Sequence, residues 1–376
     1  MKVKQYLIRS LSALNLPIDP LADLVLGFGD KALLEDPTVY DTFREHFPSA
    51  IIALSSSSGE IYQTEVYDGT ISLLTLSFEQ TRLKHQGVNI KDYPDSFAAG
   101  AAVVSDLLTE DLQHILVLSD GSLVNGSKLV KGLRSIIADR VSITGGLAGD
   151  GADFDYTLVG LNEAPMQGRI LAIGFYGSSL RIAHGSFGGW EPFGLEKIVT
   201  KSTANELFEI DGKSALNKYK EYLGEYASEL PGSALLFPLS IRVEGGDKHL
   251  VRTILSIDNE RSSMTFAGDV PEGSKVRFMR ANMDRLIDAA STAANNALVG
   301  FDQLEPEVAL LISCVGRKLV LGSRIDEEVE AVAEILGKKT LISGYYSYGE
   351  ISPLRKNGSC ELHNQTMTIT CMQEVV

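Results

Sequence analysis

Cysteine and long apolar runs are scarce in this chain. The three cysteines, Cys314, Cys360 and Cys371, form neither a CxxC motif nor an even set. This argues against a structural zinc site or a disulfide framework and fits a reducing cytoplasm. No segment approaches the roughly 20 consecutive apolar residues that cross a bilayer as a helix. We therefore expect a cytoplasmic protein with no membrane span and no metal site.

Basic residues are too few for a nucleic-acid partner. The chain has 34 lysines and arginines against 49 aspartates and glutamates, which gives a formal net charge of −15. Binding to a phosphate backbone needs a basic face that releases counterions. The expected ligand is therefore not a nucleic acid.

The length predicts more than one hydrophobic core. A chain of 376 residues, 44% of them hydrophobic, is longer than single cores usually extend. The segment 210–228 has the pattern of a turn followed by a helix, which is typical of a junction between domains. We predict an amphipathic lead-in helix over residues 1–20, a first domain over 21–209 and a second domain over 210–376.

One supersecondary pattern recurs: an apolar strand, an amphipathic helix, a second apolar strand and a loop of small residues. The first strands are expected at 24–30, 114–121 and 308–317, and the second strands at 51–54, 141–144 and 340–343. The helices between them are expected from Asp36-Pro37 onward, over 127–139 and over 326–336. Residues 341–351 (LISGYYSYGEI) align with 51–61 (IIALSSSSGEI), which favours an internal duplication.

Between these units the sequence alternates apolar and polar residues around Gly-rich turns, at 65–88, 168–190 and 233–258. Such segments are typical of antiparallel hairpins. The expected fold class is mixed α+β (α/β). Two domains, each with strand-helix-strand units and long antiparallel strands, would be related by internal duplication.

Several motifs, in order, carry a family resemblance. They are SSSSGEI (55–61), GGLAGDG (145–151), ELFEIDGKSAL (206–216), FAGDVPEG (266–273), SCVGRKLVLG (313–322), GYYSYGEI (344–351) and CELHNQTMTIT (360–370). With them the chain resembles the FIST family of bacterial sensory modules over nearly its whole length. The resemblance implies a FIST N-type domain followed by a C-type domain. It also implies a cytoplasmic sensor of small molecules, amino acids among them, rather than an enzyme.

The resemblance also implies an output and an alternative cofactor. FIST sensors are coupled to histidine kinases, cyclic-di-nucleotide enzymes or chemotaxis components, so a partner protein of this kind is expected. One branch of the family resembles haem proteins that sense nitric oxide, which makes haem the alternative ligand. Its axial ligand would be Cys314 or one of the six histidines. These are His46, His85, His114, His184, His249 and His363.

The loops that follow the second strands form the candidate ligand site, because such loops hold ligands in α/β folds. In SSSSGE, the hydroxyls of Ser56, Ser57 and Ser58 can bind a polar ligand, and Glu60 adds a charge. The alternative is a serine-rich turn that caps its own backbone.

The loop GGLAGDG offers a second contact. Gly145 and Gly146 allow a ligand or another backbone to approach closely, and Asp150 supplies charge. The alternative is a tight turn in which Asp150 binds nearby backbone amides.

The third loop contains GYYSYGE. On an extended strand, Tyr346 and Tyr348 share one face and form an aromatic wall that suits an aliphatic stem or an ammonium group. The alternative is an aromatic cluster at a domain interface. Glu350 follows, and it shares with Glu60 and Asp150 the role of binding an ammonium group.

Arg317 is the predicted partner of a ligand carboxylate, because its guanidinium can bind both oxygens. Cys314 precedes it, just past an apolar strand. The alternative for Arg317 is a salt bridge with Glu350 or Asp326. Together these charges predict a zwitterionic ligand such as an amino acid.

The segment ELHNQTM places His363 and Asn364 in an expected strand. Its polar face is either a wall of the ligand site or a hydrogen-bonded seam between sheets. A hydrolase that uses Ser57, Ser347 or Cys314 is a further alternative. No general base stands at a diagnostic spacing from any of these three residues.

Overall fold

The computed structural model describes residues 1–14, 16–230, 232–242, 249–299, 301, 305–353 and 358–375. The fold is mixed α+β, as predicted. Among the described residues, no helix is long and apolar enough to span a membrane.

Three strand-helix-strand units build the body of the molecule. The first contains β1 (Lys2–Ile8), β2 (Leu24–Gly29), α1 (Lys31–Leu34), α2 (Val39–His46), β3 (Ile51–Ser56), β4 (Glu60–Tyr62), β5 (Glu65–Tyr67) and β6 (Ile71–Ser77). The second contains β7 (Arg82–Asn89), α3 (Ser96–Ser105), β8 (Leu112–Ser119), α4 (Gly126–Ile136), β9 (Ser142–Leu147), β10 (Val159–Leu161) and β11 (Arg169–Tyr176). The third begins with β12 (Leu180–Phe187).

A separate substructure is inserted into the third unit after β12. It contains β13 (Glu191–Thr203), β14 (Glu206–Ile210), β15 (Lys213–Ser214), α5 (Ala215–Leu223), β16 (Leu239–Arg242), β17 (His249–Arg252), β18 (Ile254–Asp258), β19 (Ser263–Phe266) and β20 (Lys275–Arg280). We call residues 191–280 the inserted subdomain. The third unit resumes with α6 (Met283–Leu298), β21 (Val308–Cys314), α7 (Val315–Leu321), α8 (Ile325–Leu336), β22 (Leu341–Ser347), β23 (Gly349–Pro353), β24 (Cys360–His363) and β25 (Met367–Glu374).

Each unit places a parallel pair of strands at the centre of its own sheet. The pairs are β2 with β3, β8 with β9 and β21 with β22. The last strand of each unit returns antiparallel beside the first member of the pair. These strands are β6, β11 and β25.

The strand that follows each parallel pair crosses to another sheet. In this way β4 pairs with β22, β10 pairs with β3 and β23 pairs with β9, and all three pairings are antiparallel. The exchange is cyclic, so each sheet contains a strand from another unit. Residues 51–61 and 341–351, which align in sequence, take equivalent parts in it.

The three sheets enclose a common core, which explains the continuous apolar runs of the central strands. On β2, Leu24, Leu26 and Phe28 face this inner core. Val25, which lies between Leu24 and Leu26, packs on the other side of the sheet against Phe43 of α2. Strands buried on both faces cannot alternate apolar with polar residues. The inserted subdomain has its own core, which includes Leu207, Tyr219 and Phe278 and lies on a separate sheet.

The predicted lead-in helix over residues 1–20 is wrong. Residues 2–8 form β1, which pairs with β6 from Lys2 opposite Ser77 to Ile8 opposite Ile71. The strand is stabilised by a partner far along the chain, and local periodicity does not register such a partner. The predicted junction at residue 210 lies within the inserted subdomain, and residues 243–248 of the predicted hairpin over 233–258 lie outside the described residues.

Candidate functional site

The three predicted loops lie together at one end of the three-sheet body. They are joined by equivalent backbone hydrogen bonds, in which the amide of each loop donates to a carbonyl of the next. The bonds run from Ser58 N to Tyr346 O (2.8 Å), from Tyr348 N to Leu147 O (3.3 Å) and from Gly149 N to Ser56 O (3.1 Å). We call this arrangement the loop cluster.

The loops of the cluster pack closely against one another. A Cβ atom added at Gly149 would lie 2.3 Å from Ser58 Oγ, and one at Gly146 would lie 2.8 Å from the hydroxyl of Tyr345. Glycine suits these positions because a Cβ atom would overlap side chains of the neighbouring segments. At Gly145 and Gly146 the groups that come close belong to this chain, namely the Val117 backbone and the Tyr345 side chain.

Two cavities formed by described residues border the loop cluster. The larger, about 550 Å³, lies between the cluster and the inserted subdomain, and we call it the cleft. The smaller, about 300 Å³, we call the acidic hollow. Of the predicted site residues, Cys314 and Tyr348 line the cleft, whereas Ser57, Ser58, Glu60 and Asp150 line the acidic hollow.

Opposite walls of the cleft come from different parts of the fold. The wall on the three-sheet body includes the loop 121–125 before α4, together with Leu147, Phe154, Asp155, Cys314, Val315 and Tyr348. The wall on the inserted subdomain includes Asn205, Thr253, Leu255, Ser256 and residues 265–267. A ligand in the cleft would therefore contact both parts.

Tyr348 is the predicted residue with the clearest place in the cleft. Its ring stacks on Phe154 with centroids 4.8 Å apart. Its hydroxyl donates to Asp150 and accepts a hydrogen bond from the backbone amide of Phe154 (3.1 Å). These contacts fix the orientation of the aromatic surface that the cleft presents.

Tyr346 does not share a face with Tyr348, so the predicted two-tyrosine wall is wrong. The chain leaves β22 at Ser347 and enters another sheet as β23, which breaks the alternation at Tyr348. The side chain of Tyr346 is buried on the other side of its sheet, where its hydroxyl donates to Glu328 (2.7 Å). Burial raises the pKa of Tyr346 well above its usual range.

Cys314 is a wall residue of the cleft with an inert thiol. It is buried and ends β21 at the start of α7. Burial raises the pKa of its thiol, so the thiol stays protonated at neutral pH. This state does not suit a nucleophile.

The Arg317 side chain is committed to other protein groups. Its guanidinium donates to Glu328 (2.6 Å), to the Gly188 carbonyl (2.6 Å) and to the Leu286 carbonyl (2.7 Å). Both charged side chains of the Arg317–Glu328 pair are fully buried. The alternative of an ordinary salt bridge describes Arg317 better than carboxylate recognition does, although the partner is Glu328 and not Glu350 or Asp326.

Asp150 is held by its own loop. Its carboxylate accepts hydrogen bonds from the backbone amides of Phe154 (3.0 Å), Asp155 (3.0 Å) and Tyr156 (3.1 Å). It also pairs with Lys31 at 3.1 Å. These contacts favour the interpretation of the loop as a turn that Asp150 closes.

His363 and Asn364 lie at a turn, and the predicted continuous strand over ELHNQTM is wrong. β24 ends at His363 and β25 begins at Met367, with Gln365 between them at a φ of +64°. The His363 ring bonds to the carbonyl of Ser352 (2.8 Å). A left-handed residue ends the strand alternation, so the predicted faces do not form.

Glu60 and Glu350 occupy matching buried environments. Glu60 accepts hydrogen bonds from the Ser57 hydroxyl and from the Thr70 hydroxyl (2.8 Å). Glu350 accepts them from the Ser347 hydroxyl (3.0 Å) and from the Thr366 hydroxyl (2.8 Å). Burial raises the pKa of Glu60 to about 7 and that of Glu350 to about 8, against the effect of these hydrogen bonds. Ser56 is also buried, and its hydroxyl accepts from the Leu158 amide (2.9 Å).

These two carboxyls should make the protein less stable as the pH rises. A carboxyl with a raised pKa in the folded state binds its proton more tightly there than in the unfolded chain. Its stabilising contribution is complete below about pH 4.5 and is lost as the pH passes 7 for Glu60 and 8 for Glu350. The expected loss is on the order of 3–5 kcal/mol for each group.

Urea denaturation of the wild type, Glu60→Gln and Glu350→Gln at pH 5 and pH 8.5 tests this. We expect the free energy of unfolding to fall less with pH in each variant than in the wild type. An unchanged pH slope in both variants would show that neither carboxyl titrates in this range.

Two of the six histidines lie in surroundings that are small or polar. His184 lines a cavity of about 280 Å³ whose walls include Arg134, Asp139 and Arg140. His114 is fully buried, its ring bonds to Ser142 (2.7 Å), and burial lowers its pKa to about 3. Cofactor pockets are mostly apolar and large enough to bury the group. The described residues around these histidines do not fit a porphyrin. Within the described chain, no group of three or more His, Cys, Asp or Glu side chains could hold a metal ion.

Sequence reasoning missed most residues that line the cleft. Asn125 carries one usable signal, because it precedes a predicted helix and its side chain caps α4 by accepting from the Lys128 amide. Phe154, Asn205 and Thr253 lie in segments without a chemical motif. Asn205 and Thr253 reach the cleft because the inserted subdomain lies against the loop cluster, and Phe154 meets them from the three-sheet body.

Comparison with known proteins identifies the class. Residues 23–213 match the family model of the FIST N domain, and residues 215–353 match that of the FIST C domain. These domains are sensory domains of signal transduction. The chain belongs to the FIST family.

Individual relatives are distant. An uncharacterized protein of Methanocaldococcus jannaschii is 24% identical over 235 residues, which cover 56% of this chain and 45% of that protein. The chain thus matches less than half the length of this relative. Among solved structures, a cyanuric acid hydrolase from A. caulinodans aligns over 100% of this chain and 99% of its own at 9% identity, with a TM-score of 0.38. A TM-score this low supports no conclusion about activity.

Proposed function

We propose that this protein is a sensor that binds a small ligand in the cleft and signals through a partner protein in the cytoplasm. The observation that carries the proposal is the position of the cleft between the loop cluster and the inserted subdomain. A ligand that contacts both walls stabilises one arrangement of the two parts relative to others. Such a shift in population is a signal that a partner can recognise.

The contacts of α7 support a link between the cleft and the inserted subdomain. Val315, the first residue of α7, lines the cleft. Two residues later, Arg317 holds the carbonyls of Gly188 and Leu286. These two residues flank the inserted subdomain on either side of residues 191–280. A displacement of α7 would therefore reach both connections.

Following the family, the partner is a histidine kinase, a cyclic-di-nucleotide enzyme or a chemotaxis component. An amino acid is one candidate ligand. Its carboxylate would need a partner other than Arg317, whose donors bind Glu328 and two backbone carbonyls.

Blocking the cleft tests the proposal. Leu255 lines the cleft and is 44% exposed, so Leu255→Trp should fill space there with little effect on folding. The wild type would be incubated with a mixture of the twenty amino acids, nucleobases, nucleosides and monosaccharides and then examined by native mass spectrometry. We expect one compound to bind the wild type and to be lost from Leu255→Trp.

Leu108→Trp is the matched control, because Leu108 is 40% exposed and lies outside the cleft lining. It should bind the compound as the wild type does. The proposal would be wrong if no compound bound the wild type, or if both tryptophan variants bound it equally well.

A further inference from the structure

The cleft is poor in charge. Asp155 is the single charged side chain among the described residues that line the cleft. These residues include no lysine, arginine or histidine. An anionic group that leaves water needs a cation or several hydrogen-bond donors to offset its desolvation. The lining therefore disfavours ligands with a net negative charge.

The cleft is rich in side chains that both donate and accept hydrogen bonds. Ser122 and Asn125 lie on the wall of the three-sheet body, and Asn205, Thr253, Ser256 and Thr265 lie on the opposite wall. Part of this capacity is used within the protein, because the Asn125 carbonyl caps α4 and the Asn205 amide donates to the Phe266 carbonyl (2.7 Å). The Asn205 carbonyl can accept a hydrogen bond, and the hydroxyls can donate or accept. This arrangement matches a ligand whose edge alternates donors and acceptors.

Thr253 is an independent sign of a ligand. The residue is 4% exposed and lines the cleft, and its hydroxyl has no hydrogen-bond partner within the described chain. Leaving a buried hydroxyl unpaired is unfavourable, and most such groups have a partner. A ligand in the cleft can supply the missing one.

An aromatic surface completes the cleft. Phe154 and Tyr348 stack with ring planes 14° apart, and both line the cavity. Phe154 is 44% exposed, so part of the stacked pair is open to a ligand. A planar ring can extend such a stack, because offset stacking is a favoured aromatic geometry.

From these features we infer that the ligand of the cleft is an uncharged or cationic heteroaromatic compound of the nucleobase class. The inference rests on the proposed function and names its ligand class. The ring lies against the Phe154–Tyr348 pair, its polar edge bonds to asparagine and hydroxyl side chains, and Thr253 is one of these partners. Asp155 favours a ligand without a phosphate.

Isothermal titration calorimetry on the full chain tests the class. The probes are adenine, hypoxanthine, cytosine, uracil, adenosine and AMP, with the twenty amino acids as a second panel. We expect at least one base or nucleoside to bind and the amino acids not to bind. AMP should bind at least about tenfold more weakly than adenosine, because its phosphate finds no cation in the described lining.

Two variants separate ligand contact from folding. Thr253→Val removes the unpaired hydroxyl while keeping the shape of the side chain, so the melting temperature should not fall. Affinity for the bound base should drop about tenfold, the usual effect of one lost hydrogen bond. Ser274→Ala is the matched control, because Ser274 is also buried in the inserted subdomain with an unpaired hydroxyl but does not line the cleft.

The outcomes distinguish the ligand class from the sensor itself. Binding of an amino acid but of no base or nucleoside would overturn the class and leave the sensor in place. If Thr253→Val bound the base with the affinity of the wild type, the assignment of Thr253 as a ligand contact would also be wrong. Failure of every compound in both panels would count against the ligand class, while the wider mixture tested on Leu255→Trp decides the sensor proposal.

Discussion

Replacing Arg317 by methionine should lower the free energy of unfolding by about 3–5 kcal/mol. The guanidinium pairs with Glu328 in a site where both side chains are fully buried. Its loss leaves the Glu328 carboxylate without a cation, and the carbonyls of Gly188 and Leu286 lose a donor. A buried charge without a partner is among the most destabilising changes known in proteins.

Urea denaturation at pH 7 measures this effect. The double variant Arg317→Met, Glu328→Gln should recover a large part of the loss, because neutral glutamine carries no charge to desolvate. Lys339→Met is the control for an exposed pair, since Lys339 and Glu305 are 83% and 54% exposed. It should change the stability by less than about 1 kcal/mol. If Arg317→Met were as mild as Lys339→Met, the buried pair would not stabilise the fold in the way described.

Replacing Gly344 by alanine should be at least as damaging, with a loss of about 4 kcal/mol or more. A Cβ atom there would lie 1.8 Å from the carbonyl oxygen of Leu311, on the neighbouring strand β21. Backbone groups of a central strand cannot move aside without breaking the sheet. Gly145 meets Val117 in the same way, also at 1.8 Å, so Gly145→Ala should behave alike.

Gly69→Ala separates the clash from backbone strain. Gly69 has a φ of +70°, and a Cβ atom there would have nothing within 4 Å. We expect a loss of about 1 kcal/mol from its left-handed conformation alone. The yield of soluble protein and thermal melting would rank the three variants. A Gly344→Ala variant as stable as Gly69→Ala would contradict the described approach of β22 to β21.

The sequence predicted the parallel strand pairs well because their signal is local and strong. Strands buried on both faces are nearly all apolar, and turn residues mark their ends. It predicted β1 wrongly because this strand is defined by pairing with β6, about 70 residues away. The short helix α7 was also missed, since it follows β21 directly and is only seven residues long.

Parts of the candidate site could be predicted, and the remaining contacts could not. Placing polar residues after the parallel strands located the loop cluster, because the carboxyl ends of such strands meet at one edge. Arg317 and Tyr346 both bind Glu328, which lies eleven residues after Arg317 on α8, and the sequence did not indicate this shared partner. Nothing in the spacing of these residues distinguishes a buried ion pair from a ligand contact.

By itself the sequence determined the strand-helix-strand units and the glycines that let their loops meet, because periodicity and backbone freedom are properties of short segments. The tertiary structure decided which sheet each strand joins and which side chains the inserted subdomain brings to the cleft. Those contacts join residues far apart in the chain, and their free energy comes from burial and pairing that exist only in the folded molecule.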